Sequence, residues 1–390
     1  MRDKLGEIRL DHSSFISLHV QLHNQLRRLI VSERWRYGER IPTETQLSKH
    51  LDISRTTVRI ALQRIEVEGL IKRTAGRGTF VVYQPQDHVA SRSIGYVTRS
   101  FHNEIHSILL SSAETELRSA GYQVIFSNAR GNAEETRTLQ QLLDDNVAGL
   151  MIWANANPTA ATKSLLREYQ RREIPVVFVD RPIPGVEADY VASDNFGGAY
   201  NIVKHLIELG HRQIAFLMPN ISNLQPIDDR HRGYLAALQE HGLLAYLPWK
   251  INSPNRHEFF ETDIYDLVGE DSKLIVDQVV RHMNAVDPTP TAVVCINDIL
   301  AIVTISALQK IGYAVPDDVS VVGFDDISMA SHISVPLTTV SQNAFELGKV
   351  ASQVVIERLR GRLTPSRCHR VPTQLRIRRS AAAPLLVMRQ

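Results

Sequence analysis

The stretch SRTTVRIALQRIEVEGLIKRTAGRGTFV, residues 54–81, constrains this chain more than any other. Ser54 is a good helix N-cap. Val58, Ala61, Leu62 and Ile65 follow at i, i+3, i+4 and i+7 and share one apolar stripe. Arg55, Arg59 and Gln63 recur every fourth position and form a second, polar stripe. Gly69 ends the helix. Residues 70–72 read as a short strand, 75–78 as a glycine-rich tip and 79–83 as the returning strand. A helix that turns arginines outward and runs into a small basic hairpin has the layout of a recognition helix with a wing. Guanidinium forks match guanine edges in the major groove, and the hairpin suits phosphate or the minor groove. A merely solvated amphipathic helix shows the same outer arginines; the hairpin and the segment before the helix are what favour DNA.

That segment holds two further helices. Leu18, Leu22, Leu26 and Leu29/Ile30 make an amphipathic first helix, broken by Trp35–Gly38. Thr43 and Gln46 have capping-box spacing, each side chain closing the other's free backbone N–H, and open a short helix over 44–51. Asp52 and Ile53 supply the turn into the arginine-bearing helix, completing a helix-turn-helix with a wing. Charge agrees. The chain's net charge of +2 hides 15 Lys+Arg against 9 Asp+Glu in residues 1–85, a balance of +6, and 29 against 33 in the rest, a balance of −4. The basic end is the one expected to meet a polyanion.

Four motifs carry a resemblance here: P-T-E-x-x-L (42–47), I-S-R-T-T-V-R-x-A-L (53–62), E-G-L-I (68–71) and G-R-G-T-F-V (76–81). Residues 15–82 resemble the winged-helix DNA-binding domain of GntR-type regulators. The resemblance implies operator contacts by Arg55, Thr56, Thr57 and Arg59, with the tip Gly76, Arg77 and Gly78 in the minor groove. Thr43, Glu44 and Gln63 complete the candidate DNA-binding set. The expected domains are 1–83, a linker over 84–92 that lacks periodicity and contains a proline, and 93–390.

In the long remainder short apolar runs alternate with helical segments. Strands are expected at 94–97, 123–126, 150–153, 175–180, 213–217, 292–296 and 319–323, with helices such as 105–120, 196–209, 230–241 and 298–311 between them. This βαβ rhythm means parallel sheets covered on both faces, an α/β class. Open parallel sheets bind ligands beyond the carboxyl ends of their strands. That rule selects the loops at 98–104, 127–130, 153–157, 180–181, 218–230, 297–298 and 325–326, whose Arg, Asp, Asn and Trp suit a sugar: fixed polar groups share vicinal hydroxyls, and an aromatic ring covers a pyranose face. Asp or Asn at a strand end also serves as a helix cap or turn former.

The motifs E-L-G-H-R-Q-I-A-F-L (208–217), R-x-x-G-Y-x-x-A-L (230–238), P-T-A-V-V-C-I-N-D (290–298), V-P-D-D-V-S-V-V-G-F-D-D-I (315–327) and P-L-T-T-V-x-Q (336–342) resemble the effector-binding domain of LacI/GalR repressors. The resemblance covers about 94–379. It implies the periplasmic-binding-protein fold, two hinged Rossmann-like lobes between which the chain crosses three times, and effector contacts by Arg230, Asn297 and Asp325, with Gln342 at a cleft position. Arg99, His102, Glu104, Trp153, Asn155 and Arg181 are the further effector candidates from the selected loops. A GntR-like reader joined to a LacI-like sensor resembles the arabinose repressors of the AraR kind. The function implied is a homodimeric repressor on near-palindromic operator DNA, released by a sugar. A regulator with a corepressor such as a purine is the alternative within that class.

An enzyme acting on a sugar or nucleoside is the alternative of another class. No Gly-x-Gly-x-x-Gly, P-loop, nucleophile elbow or His-Glu-x-x-His occurs, so no catalytic residue is expected. Cys295 and Cys368 are too few for a disulfide framework or a cysteine zinc cluster, and no metal or cofactor is expected. The chain opens on no signal peptide and contains no apolar run of the ~20 residues that a membrane helix needs. A cytoplasmic protein with no membrane partner is therefore expected, which counts against a transport binding protein.

Overall fold

The computed structural model describes residues 8–11, 17–31, 34–74, 77–83, 92–99, 104–221, 224–252, 270–361 and 365–385. The chain divides into two compact units, Met1–Ser91 and Arg92–Gln390. Of the expected linker only Arg92 falls within the described residues.

In the first unit α1 (Leu18–Val31) turns Leu22, Leu26 and Ile30 inward, and Trp35 plugs the core after it. The next helix, α2 (Glu44–Leu51), begins at the expected capping box: Gln46 N–H donates to Thr43 Oγ1, and Thr43 N–H donates to the Gln46 side-chain oxygen at 2.9 Å. Asp52, at a left-handed φ of 52°, turns the chain into α3 (Arg55–Val67). The Ser54 side chain accepts from Thr57 N–H at 3.0 Å, and Val58, Ala61, Leu62 and Ile65 are buried as their spacing requires. The wing is β2 (Ile71–Thr74) and β3 (Gly78–Val81), antiparallel, with β1 (Arg40–Ile41) added on the far side of β3. Strand β1 carries only two residues, too short for an alternating pattern to reveal.

The second unit has two lobes. The first runs β4 (Ser93–Thr98), α4 (Glu104–Ser119), β5 (Gln123–Asn128), α5 (Asn132–Asp144), β6 (Gly149–Trp153), α6 (Ala160–Arg171), β7 (Val176–Val179) and β8 (Asp189–Ser193). The second runs α7 (Asn195–Glu208), β9 (Ile214–Pro219), α8 (Gln225–Glu240), β10 (Trp249–Ile251), α9 (Glu270–Ala285), β11 (Ala292–Cys295), α10 (Asp298–Lys310) and β12 (Ser320–Val322). The chain then returns through β13 (Thr339–Ser341) to α11 (Ala344–Leu359) and β14 (Cys368–Val371) in the first lobe, and leaves again through β15 (Gln374–Arg376). The sheets are β14-β8-β7-β6-β4-β5 and β10-β9-β11-β12, parallel throughout, with β13 and β15 paired antiparallel on the second lobe. Three crossings therefore join the lobes, at 193–195, 341–344 and 371–374.

Each lobe has one helix pair in backbone contact. A Cβ on Gly233 of α8 would sit 2.3 Å from the Phe196 carbonyl of α7, and one on Gly348 of α11 would sit 2.3 Å from the Leu109 carbonyl of α4. Glycine is what lets these helices touch. The expected strands all appear, with ends shifted by a residue or two. The helix expected at 230–241 begins five residues earlier, at Gln225, because Pro226 fits a first helical turn, where its missing N–H is no loss. Arg230 thus lies in the second turn of α8 instead of opening it.

Candidate functional site

On the first unit, Arg55, Thr56, Arg59 and Gln63 are exposed on one side of α3, and Arg77 is exposed beside the wing tip. This is a row of donors long enough to enter a groove. Thr57 is half-buried, its hydroxyl 2.8 Å from Ser54 Oγ, so it serves the cap. Glu44 accepts from Arg59 at 3.4 Å and from Arg73 at 3.3 Å, which ties α2 to α3 and to the wing strand. A second carboxylate, Glu66, takes Arg73 at 3.1 Å. Thr43 is held as the N-cap of α2. Gly78, at φ +116°, lies so close to Arg40 that a Cβ would meet Arg40 Nε at 2.6 Å. Gly76 lies outside the described residues.

In the second unit a cleft opens between the lobes at the carboxyl ends of both sheets. The first lobe supplies Ile105, His106, Trp153, Asp180 and Arg181; the second supplies Leu224, Pro226, Ile227, Arg230, Asn297 and Asp325; Gln342 comes from the second crossing. Asp325 and Arg230 meet at 3.4 Å. Gln342 Nε2 donates to Asp325 at 2.6 Å, and its oxygen accepts from Ser193 Oγ at 2.7 Å, which joins the first two crossings. Arg230 also donates to Asn195 Oδ1 at 2.8 Å and to the Ile296 carbonyl at 2.6 Å, and its guanidinium carbon lies 3.7 Å from the centre of the Phe324 ring. Across the cleft Arg181 pairs with Asp180 at 3.4 Å and donates to the Ala154 carbonyl at 2.7 Å. Asn297 caps α10 through Leu300 N–H at 2.9 Å and still lines the cleft.

The electrostatics are balanced: two guanidinium groups face two carboxylates. Burial raises the Asp325 and Asp180 carboxyls, and the charge of Arg230 opposes the shift in both. His106 lies against Trp153 with ring centres 4.0 Å apart. Burial, then the charges of Arg181 and Arg99, bring its pKa down to about 3, so it stands in the cleft as a neutral imidazole.

Three expected effector residues are placed elsewhere. The Asn155 side chain and backbone N–H both donate to Glu135 at 2.8 Å, behind the cleft wall, because that buried carboxylate needs donors. Arg99 is buried and does not line the cleft; its charge acts on His106 and Glu135. Glu104 turns to Ser328 on the second lobe, accepting from its N–H at 2.8 Å and its hydroxyl at 2.6 Å. His102 lies outside the described residues. Conversely, His106 and Phe324 were not among the expected residues, and Asp180 lay in a selected loop without being one of the named candidates. Asp180 and Phe324 adjoin Arg181 and Asp325 in sequence; His106, early in α4, carries no motif of its own.

The comparisons with known proteins fit this arrangement. Residues 18–81 match the family model for bacterial regulatory proteins of the gntR family, and residues 203–381 match that for a periplasmic binding protein-like domain. An arabinose metabolism transcriptional repressor of Geobacillus stearothermophilus is 30% identical over 352 residues, covering 88% of this chain and 92% of that protein. The chain belongs to this family of transcriptional repressors. A second relative of the same description, from Halalkalibacterium halodurans, is 29% identical over 328 residues, 81% of this chain and 82% of its own. The repressor's second unit also resembles a solved LacI family transcriptional regulator from Enterococcus faecium with bound ribose: TM-score 0.59, 25% identity, 75% of this chain and 99% of that one. The repressor is thus a regulator and not an enzyme: a gntR-type reader joined to a LacI-type effector unit.

Proposed function

We propose that this repressor sits as a homodimer on near-palindromic operator DNA in the cytoplasm and leaves it when a neutral sugar enters the interlobe cleft, with L-arabinose the first candidate. One observation carries the reading: the cleft is lined by the Arg230–Asp325 pair of the second lobe and by the Arg181–Asp180 pair of the first, together with neutral His106 and Trp153. Balanced charge favours an uncharged ligand. The paired groups offer planar donors and acceptors to vicinal hydroxyls, while the aromatic wall covers a C–H face. The relatives described as arabinose metabolism repressors support the choice of pentose. A dimer supports operator reading, because a single winged helix on one half-site is a weak and poorly specific reader.

The test is thermal unfolding of the full chain with L-arabinose, D-ribose, a hexose and guanine, followed by operator binding with each. A ligand that binds only the folded state adds about 2.7 kcal/mol at 100 times its Kd. L-arabinose should raise the unfolding temperature and lower operator affinity. Stabilisation by guanine alone, with tighter operator binding, would replace this reading by a corepressor.

A further inference from the structure

We propose that Asp298 is a positioning residue of the effector cleft: its buried carboxyl group holds the turn at 323–327 in the shape that presents Asp325 to a ligand. The inference rests on reading the interlobe cleft as the effector site. Asp298 is wholly buried and does not line the cleft. It stands at the start of α10, with the chain after β12 wrapped around it. One carboxyl oxygen bonds the Thr339 hydroxyl on β13, and the other accepts from Ile327 N–H at 2.9 Å. Its backbone N–H donates to the Phe324 carbonyl at 2.8 Å. One residue therefore ties down both ends of the turn and the strand behind it. The fit is close: a Cβ on Gly323 would lie 2.3 Å from Asp298 Oδ1.

The turn needs such a clamp. Asp325 has φ +119° and Asp326 +58°, a region that L side chains rarely adopt. Such conformations persist where surrounding contacts over-determine them. The strained pair delivers the Asp325 carboxylate to Arg230 and Gln342, and the preceding Phe324 lies against the Arg230 guanidinium. Burial, reinforced by the negative charge of Asp325, pushes the Asp298 carboxyl well above the usual carboxylate range. Asparagine matches the group in shape: its carbonyl oxygen accepts from Ile327 N–H, and its amide donates to the Thr339 hydroxyl oxygen in place of the bond that the hydroxyl donates to the carboxylate.

The variants are Asp298→Asn, Asp298→Ala and Thr339→Val in the full chain. Each is titrated with L-arabinose by calorimetry well below its unfolding temperature, and backbone amide exchange over 323–328 is followed without sugar. Asp298→Ala should bind L-arabinose about tenfold or more weakly, Thr339→Val less so, and Asp298→Asn within about twofold of the parent. Exchange over 323–328 should quicken in the alanine variant and return to the parental rate in the asparagine variant. An alanine variant with a lowered unfolding temperature but an unchanged sugar Kd would overturn the proposal, as would an asparagine variant as impaired as alanine. If Asp298→Ala does not fold, parental affinity and exchange in Thr339→Val overturn it. If the parent itself does not bind L-arabinose, the sugar reading fails alone, and amide exchange still decides the role of Asp298.

Discussion

Arg230 makes four contacts that a lysine cannot make together. Its planar fork bonds Asn195, the Ile296 carbonyl and Asp325 at once, and its flat face lies on Phe324. Removing one member of such a buried set leaves its partners half-satisfied, so Arg230→Ala or Asp325→Ala should lose roughly 1–3 kcal/mol of effector affinity. Operator binding without effector should survive, giving variants that stay on DNA despite inducer. Titrating each variant with both sugar and operator checks this, and loss of both affinities together would mean a damaged fold. His106 gives a prediction of known sign. Its pKa falls from 6.5 to about 3 through burial and then the charges of Arg181 and Arg99. The folded state therefore favours the neutral ring: the stabilisation is fully present above the unfolded value of 6.5 and is lost as pH falls towards 3. Between those values the unfolded chain binds the extra proton, so stability falls by up to about 1.4 kcal/mol per pH unit on acidification. Burial lowers the pKa of His211 too, in the same unit and with the same sign. His106→Phe should flatten part of this dependence in unfolding midpoints taken from pH 7.5 down to 5.

Two short motifs place most of what α8 does. In R-x-x-G-Y, Arg230 faces the cleft, Gly233 lets α8 touch α7, and the Tyr234 hydroxyl donates to the buried Ile214 carbonyl at 2.8 Å. Gly233→Ala should cost about 1–3 kcal/mol by driving the helices apart, read as a lower unfolding midpoint of the effector unit. On α3, Arg59→Ala should cost roughly 1–3 kcal/mol at the operator if Arg59 reads a base, and less for altered than for native sequence. Equal weakening on every sequence would make Arg59 a phosphate contact. The apolar spacing of α3, the capping box of α2 and the buried βαβ strands were legible because each is a local pattern. Strands β1, β8, β10, β13, β14 and β15 were not. Strands β1, β10, β13 and β15 have only two or three residues, β14 has four at a sheet edge, and β8, Asp189–Ser193, buries an aspartate whose charge is met by Arg358 from a distant helix. Cleft residues with a motif, Arg230, Asn297, Asp325 and Gln342, were legible. The partners that settle Asn155 and Glu104, namely Glu135 and Ser328, lie far off in sequence and no periodicity connects them.

The chain's three crossings join the two lobes of the second unit beside the cleft. Ser193 and Gln342 join two of those crossings directly and lead to Asp325, while Glu104 on α4 reaches across to Ser328. A ligand bonded to Arg181 on one lobe and Arg230 on the other would bias how the lobes sit, and in the proposed dimer that bias would alter the spacing of two reading heads. Coupling of this kind is reciprocal. If a sugar lowers operator affinity by some factor, operator DNA must lower sugar affinity by the same factor, typically corresponding to ~1–3 kcal/mol. The measurement is a closed cycle on the full chain: sugar affinity with and without operator, and operator affinity with and without saturating sugar. Fragment 92–390 serves as the control; it should sediment as a dimer at micromolar concentration and bind sugar with an affinity indifferent to operator DNA. A monomeric fragment would remove the dimer as the transmitting element. A cycle in which sugar binds tightly yet leaves operator affinity unchanged would show a ligand with no preference between the two lobe arrangements, and such a ligand, however tight, cannot be the inducer.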